Sequence, residues 1–148
     1  MLQEENYMKI FFIIILSFMQ TFFLLAEDIS IDMLNKRDDG QRMVYSEDLV
    51  RISLGDTINW NPKDPGHNVE FVAGPDGFEL PAKSFINRKV SMKFEIPGIY
   101  LYVCSPHSIM GMIGLVVVGD DASNKTKIAD FDIGGKANRK LKSLLKDL

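Results

Sequence analysis

Short runs of β-branched and aromatic residues, separated by turn-forming residues, make up most of the chain after residue 26. The clearest run alternates strictly, because Val90, Met92 and Phe94 are apolar and the residues between them are polar. A period of two is typical of a strand that has one face in a core and one face toward water. The pattern predicts about eight strands. They span residues 28–34, 43–45, 49–54, 56–60, 68–72, 89–95, 98–103 and 113–118.

The segments between these runs predict turns. Gly74-Pro75-Asp76-Gly77 and Pro97-Gly98 are examples of the glycine, proline and aspartate clusters that reverse the chain direction. No helical pattern separates the runs. The sequence therefore predicts an all-β fold, an antiparallel sandwich or barrel.

The C-terminal end has a different pattern. A polar stretch at residues 120–127 leads through Gly134-Gly135 into residues 136–148, where leucines recur at helical spacing among lysines. This predicts a C-terminal amphipathic helix. Its leucine stripe favours packing on the sandwich, and the alternative is a basic face that docks on an acidic partner or a membrane.

The N-terminal segment has the pattern of a secretory signal. Residues 10–26 read IFFIIILSFMQTFFLLA, with Lys9 before them and the acidic pair Glu27 and Asp28 directly after. The run is shorter than the ~20 apolar residues of a membrane-spanning helix. We therefore predict a cleaved signal peptide at residues 1–26 and one exported domain at residues 27–148, with a retained anchor as the alternative.

The cysteine count and the charge exclude several classes of protein. The 148 residues include one cysteine, so an intramolecular disulfide, a zinc ribbon, a four-cysteine cluster and a CxxC motif are all excluded. The formal net charge of −3 provides no overall basic field for a polyanion. The sequence predicts no nucleic-acid partner.

Soft metal-binding side chains are concentrated in the segment VCSPHSIMGM. Cys104 ends a predicted strand, His107 follows three residues later, and Met110 and Met112 precede the next strand. His67, in GHNVE, is the other of the two histidines. Two imidazoles and one thiolate with a weak axial thioether are the ligands of electron-transfer copper. Zinc is less suited, because a structural zinc site takes four strong ligands and a thioether is a weak one.

Each of these residues also has a purely structural interpretation. A single cysteine at a strand end is often a small buried hydrophobic residue, and methionine often fills a core. Cys104 and His107 could also pair as nucleophile and base, but no second acid or oxyanion feature accompanies them, so no enzyme is predicted. The coincidence of all these side chains where loops leave strands favours a metal site. Electron transfer is the leading hypothesis, and copper buffering or delivery is the alternative.

Three segments resemble the blue copper proteins, and among them the pseudoazurins. The segments are CSPHSIMGMIGLVVVGD, GHNVE, and MLNK with a later GDTINW, and the resemblance extends over residues 29–120. It implies a cupredoxin-like Greek-key β-sandwich of about eight strands with a short helical tail. It also implies one type 1 copper per chain, a periplasmic location and a monomer. Such a protein carries single electrons to a copper nitrite reductase or another terminal reductase or oxidase.

The resemblance implies a set of copper ligands. They are His67, Cys104, His107 and Met112, with Met112 as the long axial ligand. Met110 is the competing methionine, because its use would give the shorter loop found in amicyanins.

The resemblance also implies roles for residues around the metal. The Asn68 backbone N–H bonds the cysteine sulfur, and its side chain ties the two ligand loops together. Pro106 lies beside the exposed histidine edge, and with Met43 it contributes to an apolar docking patch. Lys36 and Lys63 are among the lysines expected to steer acidic acceptors toward this patch.

Two positions depart from the family pattern of lysines. Pro65 and Val103 stand where pseudoazurins often have lysine. Lys83, Lys89 and Lys93 remain as further candidates for steering. We expect electrostatic steering to be weaker in this chain than in the family.

Overall fold

The structure, a computed structural model, describes residues 26–148. The predicted signal peptide, apart from Ala26, lies outside the described residues. In the described part, eight strands form two four-stranded sheets. The strands are β1 Asp28–Lys36, β2 Arg42–Tyr45, β3 Leu49–Ile52, β4 Thr57–Asn61, β5 Glu70–Ala73, β6 Val90–Lys93, β7 Gly98–Val103 and β8 Ile113–Val118.

The two sheets have the strand orders β2-β1-β4-β6 and β3-β8-β7-β5. The predicted all-β sandwich is confirmed, and each predicted run overlaps one of the observed strands. The predicted antiparallel pairing is wrong for two pairs of strands, because β1 pairs parallel with β4 and β3 pairs parallel with β8. Connections that cross between the sheets place strands side by side that are distant in sequence. The alternation of apolar and polar residues within one strand shows which face is buried, but it does not show which strand lies beside it.

Aromatic side chains fill the space between the sheets. The Trp60 ring centroid lies 5.6 Å from that of Phe71 and 5.2 Å from that of Tyr102, both in edge-to-face arrangements. Tyr45 is also fully buried, and its ring lies 4.8 Å from that of Tyr102. Edge-to-face pairs of this kind add to the burial of apolar area. They give the strands that support the site a densely packed core.

Helices cover the outer face of the second sheet. Helix α1 spans Lys125–Ala129 and helix α2 spans Gly135–Leu144, followed by a short 3₁₀ turn at Leu145–Asp147. Ala137, Leu141 and Leu145 are buried against this sheet, so the predicted packing of the leucine stripe on the sandwich is confirmed. Strands β7 and β8 are therefore buried on both faces, which explains why residues 113–118 read as a continuous apolar run.

Helix α1 was not predicted, because residues 120–127 were interpreted as a polar stretch. Five residues are too few to show a helical period, and of them only Ile128 is buried. The Asn124 side chain holds this segment against β7, because it accepts a hydrogen bond from the Ile99 N–H and donates one to the Ile99 carbonyl, each 2.8 Å long.

Strand register places the candidate ligands at one end of the second sheet. Glu70 of β5 pairs with Val103 of β7, and Val103 pairs with Ile113 of β8. The residues that precede β5, follow β7 and precede β8 therefore meet at the same edge. No helix within residues 26–148 has both the length and the apolar character that crossing a membrane requires.

Candidate metal centre

His67 lies in the connection between β4 and β5 and is fully buried. Its carbonyl accepts a 2.9 Å hydrogen bond from the Asn87 N–H, and the Asn87 side chain accepts a 2.6 Å bond from the Gly66 N–H. The His67 Nε2 atom lies 2.9 Å from Asn35 Oδ1. Because an amide oxygen only accepts, Nε2 carries the proton and Nδ1 keeps its lone pair. That lone pair is the one a metal would use.

Cys104 follows β7 directly and is fully buried. Its N–H donates to the Met112 carbonyl at 2.9 Å, and its carbonyl accepts from the His107 N–H at 3.0 Å. The intervening residues form a 3₁₀ turn at Ser105–Met110, which ends at Gly111 with a positive φ of 100°. The Met112 N–H donates to the His107 carbonyl at 3.2 Å. These bonds fold the loop into a tight turn between β7 and β8.

Three potential ligand atoms face one point. The Cys104 Sγ atom lies 3.7 Å from His67 Nδ1 and 3.5 Å from His107 Nδ1, and the three residues' ligand atoms all lie within 4.8 Å of one another. With metal–sulfur and metal–nitrogen bonds of about 2.3 and about 2.0 Å, tetrahedral to trigonal angles separate S from N by about 3.5–3.7 Å. The observed spacing therefore fits a single metal ion.

The two methionines differ in their surroundings. Met112 is fully buried in the core cluster that contains Cys104, whereas Met110 is 48% exposed. Burial therefore favours Met112, the methionine that the resemblance implied, over Met110.

Burial also sets the protonation of the site. It raises the pKa of the Cys104 thiol, against the backbone N–H groups of Asn68 and His107, which favour the thiolate. It lowers the pKa of His67, and the neighbouring His107 lowers it further. Without a cation, burial favours the neutral thiol of Cys104 and the neutral imidazole of His67. Among the described residues the cluster contains no carboxylate, and a soft set of two nitrogens and one sulfur matches copper.

Asn68 joins the two ligand-bearing loops. It is buried, its Oδ1 atom accepts from the Ser105 N–H at 2.8 Å, and its Nδ2 atom donates to Ser105 Oγ at 3.0 Å. The same amide donates to the Ser84 carbonyl at 3.2 Å, and the Asn68 carbonyl accepts from the Tyr45 hydroxyl at 2.9 Å. One side chain therefore connects His67's loop to Cys104's loop.

Sequence reasoning missed several residues that support the site. Asn35 orients His67, Asn87 holds its backbone, and Ser105 donates a 2.6 Å hydrogen bond to Glu70. Asn35 and Glu70 lie within the MLNK and GHNVE segments, so their presence there was an available signal. Asn87 and Ser84 lie in a loop that has no such pattern.

The residues predicted to dock a partner lie at the surface. Pro106, Lys36 and Lys63 are exposed, and His107 and Met43 are half-buried. The Lys63 ammonium lies 3.9 Å from an Asp32 carboxylate oxygen, and the negative charge of this carboxylate partly offsets the positive charge of the lysine.

Further apolar side chains at this end were not predicted as docking residues. Ile109 and Met110, in the Cys104 loop, are 62% and 48% exposed. Phe85 and Ile86, between the serine and asparagine that bind the His67 loop, are 84% and 51% exposed.

Lys93 does not belong with the steering lysines. It lies at the opposite end of the sandwich, where it pairs with Thr57 at the start of β4, and its ammonium contacts Glu95 at 3.0 Å.

Comparisons with known proteins agree with this site. A profile of the family described as copper binding proteins, plastocyanin/azurin family, matches residues 31–119. A pseudoazurin of Methylorubrum extorquens is 42% identical over 101 residues, which are 67% of this chain and 67% of that protein. A putative pseudoazurin of Rhizobium leguminosarum bv. viciae is 39% identical over 120 residues, covering 80% and 78% of the two chains.

Solved structures of pseudoazurins share the fold. The structure from Methylobacterium extorquens AM1 aligns with a TM-score of 0.75 at 35% identity, over 81% of this chain and 98% of that one. The structure from Hyphomicrobium denitrificans aligns with a TM-score of 0.76 at 32% identity, over 82% and 98%. The predicted family and its copper cofactor are confirmed. The chain belongs to the plastocyanin/azurin family of copper-binding proteins and, within it, to the pseudoazurins, which are blue copper electron-transfer proteins.

Proposed function

We propose that this protein carries single electrons between redox proteins in the periplasm, with one type 1 copper held by His67, Cys104, His107 and Met112. The observation that carries the proposal is the convergence of two imidazole Nδ1 atoms and one sulfur within 4.8 Å in a buried site. Copper, when bound, supplies a centre that gains and loses one electron. The protein supplies the geometry.

The surrounding residues hold the donors in fixed positions. Asn35 orients the His67 ring, the Met112 carbonyl holds the Cys104 backbone, and Asn68 bridges the two loops. Three of the four proposed ligands are fully buried, which limits the access of water to the site. A site that changes little between oxidation states needs little rearrangement when an electron is transferred. Rigidity therefore supports an electron carrier.

His107 is the proposed route for electrons. It is half-buried, unlike His67, and it lies in a loop whose Pro106, Ile109 and Met110 are exposed. An apolar surface around one exposed histidine edge allows a partner to approach closely and to leave quickly. This arrangement favours short-lived contacts by a monomer.

The other two hypotheses are less consistent with this burial. Copper delivery needs an exchangeable site, but His67, Cys104 and Met112 are fully buried. A thiol enzyme needs a nucleophile that a substrate can reach, and the Cys104 sulfur lies within the core cluster. We therefore propose a carrier, not an enzyme.

The proposal also covers the location of the protein and its redox partner. We propose that residues 1–26 direct export and that residues 27–148 form the copper domain. We propose a copper nitrite reductase or another terminal reductase or oxidase as the acceptor, approached from the end that carries Lys36 and Lys63. The supporting observation is that both lysines are exposed there.

The test is the rate of electron transfer from the reduced copper protein to a copper nitrite reductase, measured by stopped flow at increasing salt. We expect the second-order rate to fall as salt screens the lysines. A rate that does not change with salt would contradict lysine steering. A protein that loses its copper to a chelator during one cycle of reduction and oxidation would contradict the carrier itself.

A further inference from the structure

A basic cleft lies beside the metal loop. It has a volume of about 680 Å³ and separates the β1–β2 hairpin from helix α2. Arg42 lies on the hairpin side, Lys136, Arg139 and Lys140 lie on the helix side, and Met110 and Gly111 contribute the end of the metal loop. None of the residues that line the cleft carries a carboxylate.

Most of the positive charge in this cleft is not neutralised. Lys140 is paired, because its ammonium lies 2.6 Å from Asp48 and both side chains are 16% exposed. Arg42, Lys136 and Arg139 are exposed, and none of them has an ion-pair partner among residues 26–148. The chain as a whole has a formal net charge of −3. The cleft is therefore a local concentration of cations on an acidic protein.

The cleft adjoins the surface where electrons are proposed to leave. Met110 is part of the cleft wall and lies three residues from His107 in the same 3₁₀ turn. Gly135, which begins helix α2, packs directly against the Ile109 backbone, so helix and metal loop form a continuous surface. A protein that contacts the His107 edge can reach the cleft without leaving this surface.

We propose that this cleft binds an acidic segment of the redox partner, with carboxylates on Arg42 and Arg139 and an apolar side chain on Met110. The inference rests on the proposed electron-carrier function. Arginine favours a carboxylate because its planar guanidinium donates two parallel hydrogen bonds. These charges are separate from Lys36 and Lys63, so the cleft adds an attachment point that fixes the orientation of the partner on the His107 edge.

The test is an NMR titration of the reduced, copper-loaded mature chain with hexaglutamate as the probe. We expect amide shifts at residues 40–44, 110–111 and 136–143, and no such shifts with hexaglutamine. The double variant Arg42→Gln/Arg139→Gln should weaken binding at least about fivefold. The matched variant Lys93→Gln/Lys127→Gln removes the same charge away from the cleft, where the two lysines contact Glu95 and Asp76, and should weaken it less than about twofold.

Two results would contradict the proposal that the cleft binds an acidic segment. One is equal weakening in both double variants, which would mean diffuse attraction to the whole surface. The other is inorganic phosphate displacing the peptide at the same concentration at which it binds alone, which would mean a small-anion site. The blue absorption and the one-electron redox cycle are recorded on the same samples. Loss of either in the unmodified chain would contradict the proposed function, whereas the amide shifts report on the cleft independently.

Discussion

Among single residues, Met112 is the proposed ligand with a competitor two positions away, Met110. It is fully buried with Cys104, whereas Met110 is 48% exposed. We expect Met112→Leu to keep copper and the blue colour, because the two histidines and the thiolate remain. Its reduction potential should rise, because loss of a donor destabilises Cu(II) relative to Cu(I). Voltammetry and absorption spectra measure both effects.

Met110→Leu is the matched control for this variant, since it makes the same exchange two residues away. It should leave the potential unchanged. Loss of copper from Met112→Leu would support copper handling over electron transfer. A shift in the potential of Met110→Leu alone would identify Met110 as the axial ligand and contradict our assignment.

Asn68 should contribute to stability through the bonds that it makes between loops. Asn68→Ala removes three side-chain hydrogen bonds, two to Ser105 and one to the Ser84 carbonyl, and the half-buried partner groups lose these bonds. At about 1 kcal/mol for each bond, we expect a loss of about 2–3 kcal/mol in the free energy of unfolding. Urea unfolding of the metal-free protein measures this loss.

Ser84→Ala serves as the comparison, because the Ser84 hydroxyl accepts one bond from the Val69 N–H at 3.0 Å and donates only a longer, exposed one of 3.3 Å to the Phe85 carbonyl. It should cost about 1 kcal/mol. If Asn68→Ala cost no more than Ser84→Ala, the bridging role of Asn68 would be wrong.

At the scale of elements, helix α2 is attached to the metal loop through its first residue. Gly135 has a φ of +57°, and a Cβ atom there would overlap the Ile109 carbonyl oxygen. We expect Gly135→Ala to lower the free energy of unfolding by about 2–4 kcal/mol, from backbone strain and from the lost close approach. Because Ile109 belongs to the Cys104 loop, the blue absorption should also shift.

Gly40→Ala is the control for backbone strain. Gly40 also has a positive φ, +87°, but nothing lies within 4 Å of the position that a Cβ would occupy. It should cost about 1–2 kcal/mol and leave the absorption spectrum unchanged. Equal losses in the two variants would show that the contact between helix and loop is unimportant.

The contribution of the β1–β2 hairpin to the free energy of unfolding should depend on pH in the acid range. Arg37 donates hydrogen bonds to Asp39 and lowers the pKa of that carboxyl from 3.8 to about 2. Because the folded-state pKa lies below the unfolded value, this contribution is present above pH 3.8 and is lost as the pH falls toward 2. Asp39→Asn should reduce the change in urea midpoint over this interval.

Asp38→Asn, at the neighbouring position, is the control for charge alone, since Asp38 makes no side-chain hydrogen bond in the described part of the chain. It should leave the acid dependence nearly unchanged. The same acid dependence in Asp39→Asn and the unmodified chain would contradict the Arg37 contact.

Strand positions were readable from the sequence, and strand neighbours were not. The alternation at residues 89–95 identified β6, because a half-exposed strand leaves a period of two. The parallel pairing of β3 with β8 depends on segments more than 60 residues apart, as in the register of Leu49 with Leu115. Helix α1 was missed because Asn124, a single polar side chain, holds it in place.

At the scale of the whole molecule, the metal site lies at the end of a doubly covered sheet. Strands β7 and β8 lie between the aromatic core and the helices, and every residue of both strands is buried. Cys104 follows one of these strands and Met112 precedes the other. Side chains attached to these two buried strands have little freedom to move. An electron carrier requires this, because its metal site should change little in structure when an electron is gained or lost.

The proposed ligands could be predicted because cysteine, histidine and methionine have a chemistry of their own. The residues that fix them are ordinary polar residues from two separate segments: Ser84 and Asn87 lie in a loop without a pattern, and the MLNK segment gives the position of Asn35 but not its contact with His67. Only the fold brings them to His67 and Asn68. Sequence therefore predicts the donors, and structure is needed for the rigidity that makes them useful.

The most direct test of the copper site is a titration of metal-free residues 27–148 with Cu(II), followed by visible absorption and EPR. We predict an intense blue or green thiolate band that saturates at one equivalent, with a narrow copper hyperfine splitting, and its complete loss in Cys104→Ser. A protein that stays colourless, or a band that survives in Cys104→Ser, would contradict the assignment of Cys104 as a copper ligand and with it the electron-carrier function.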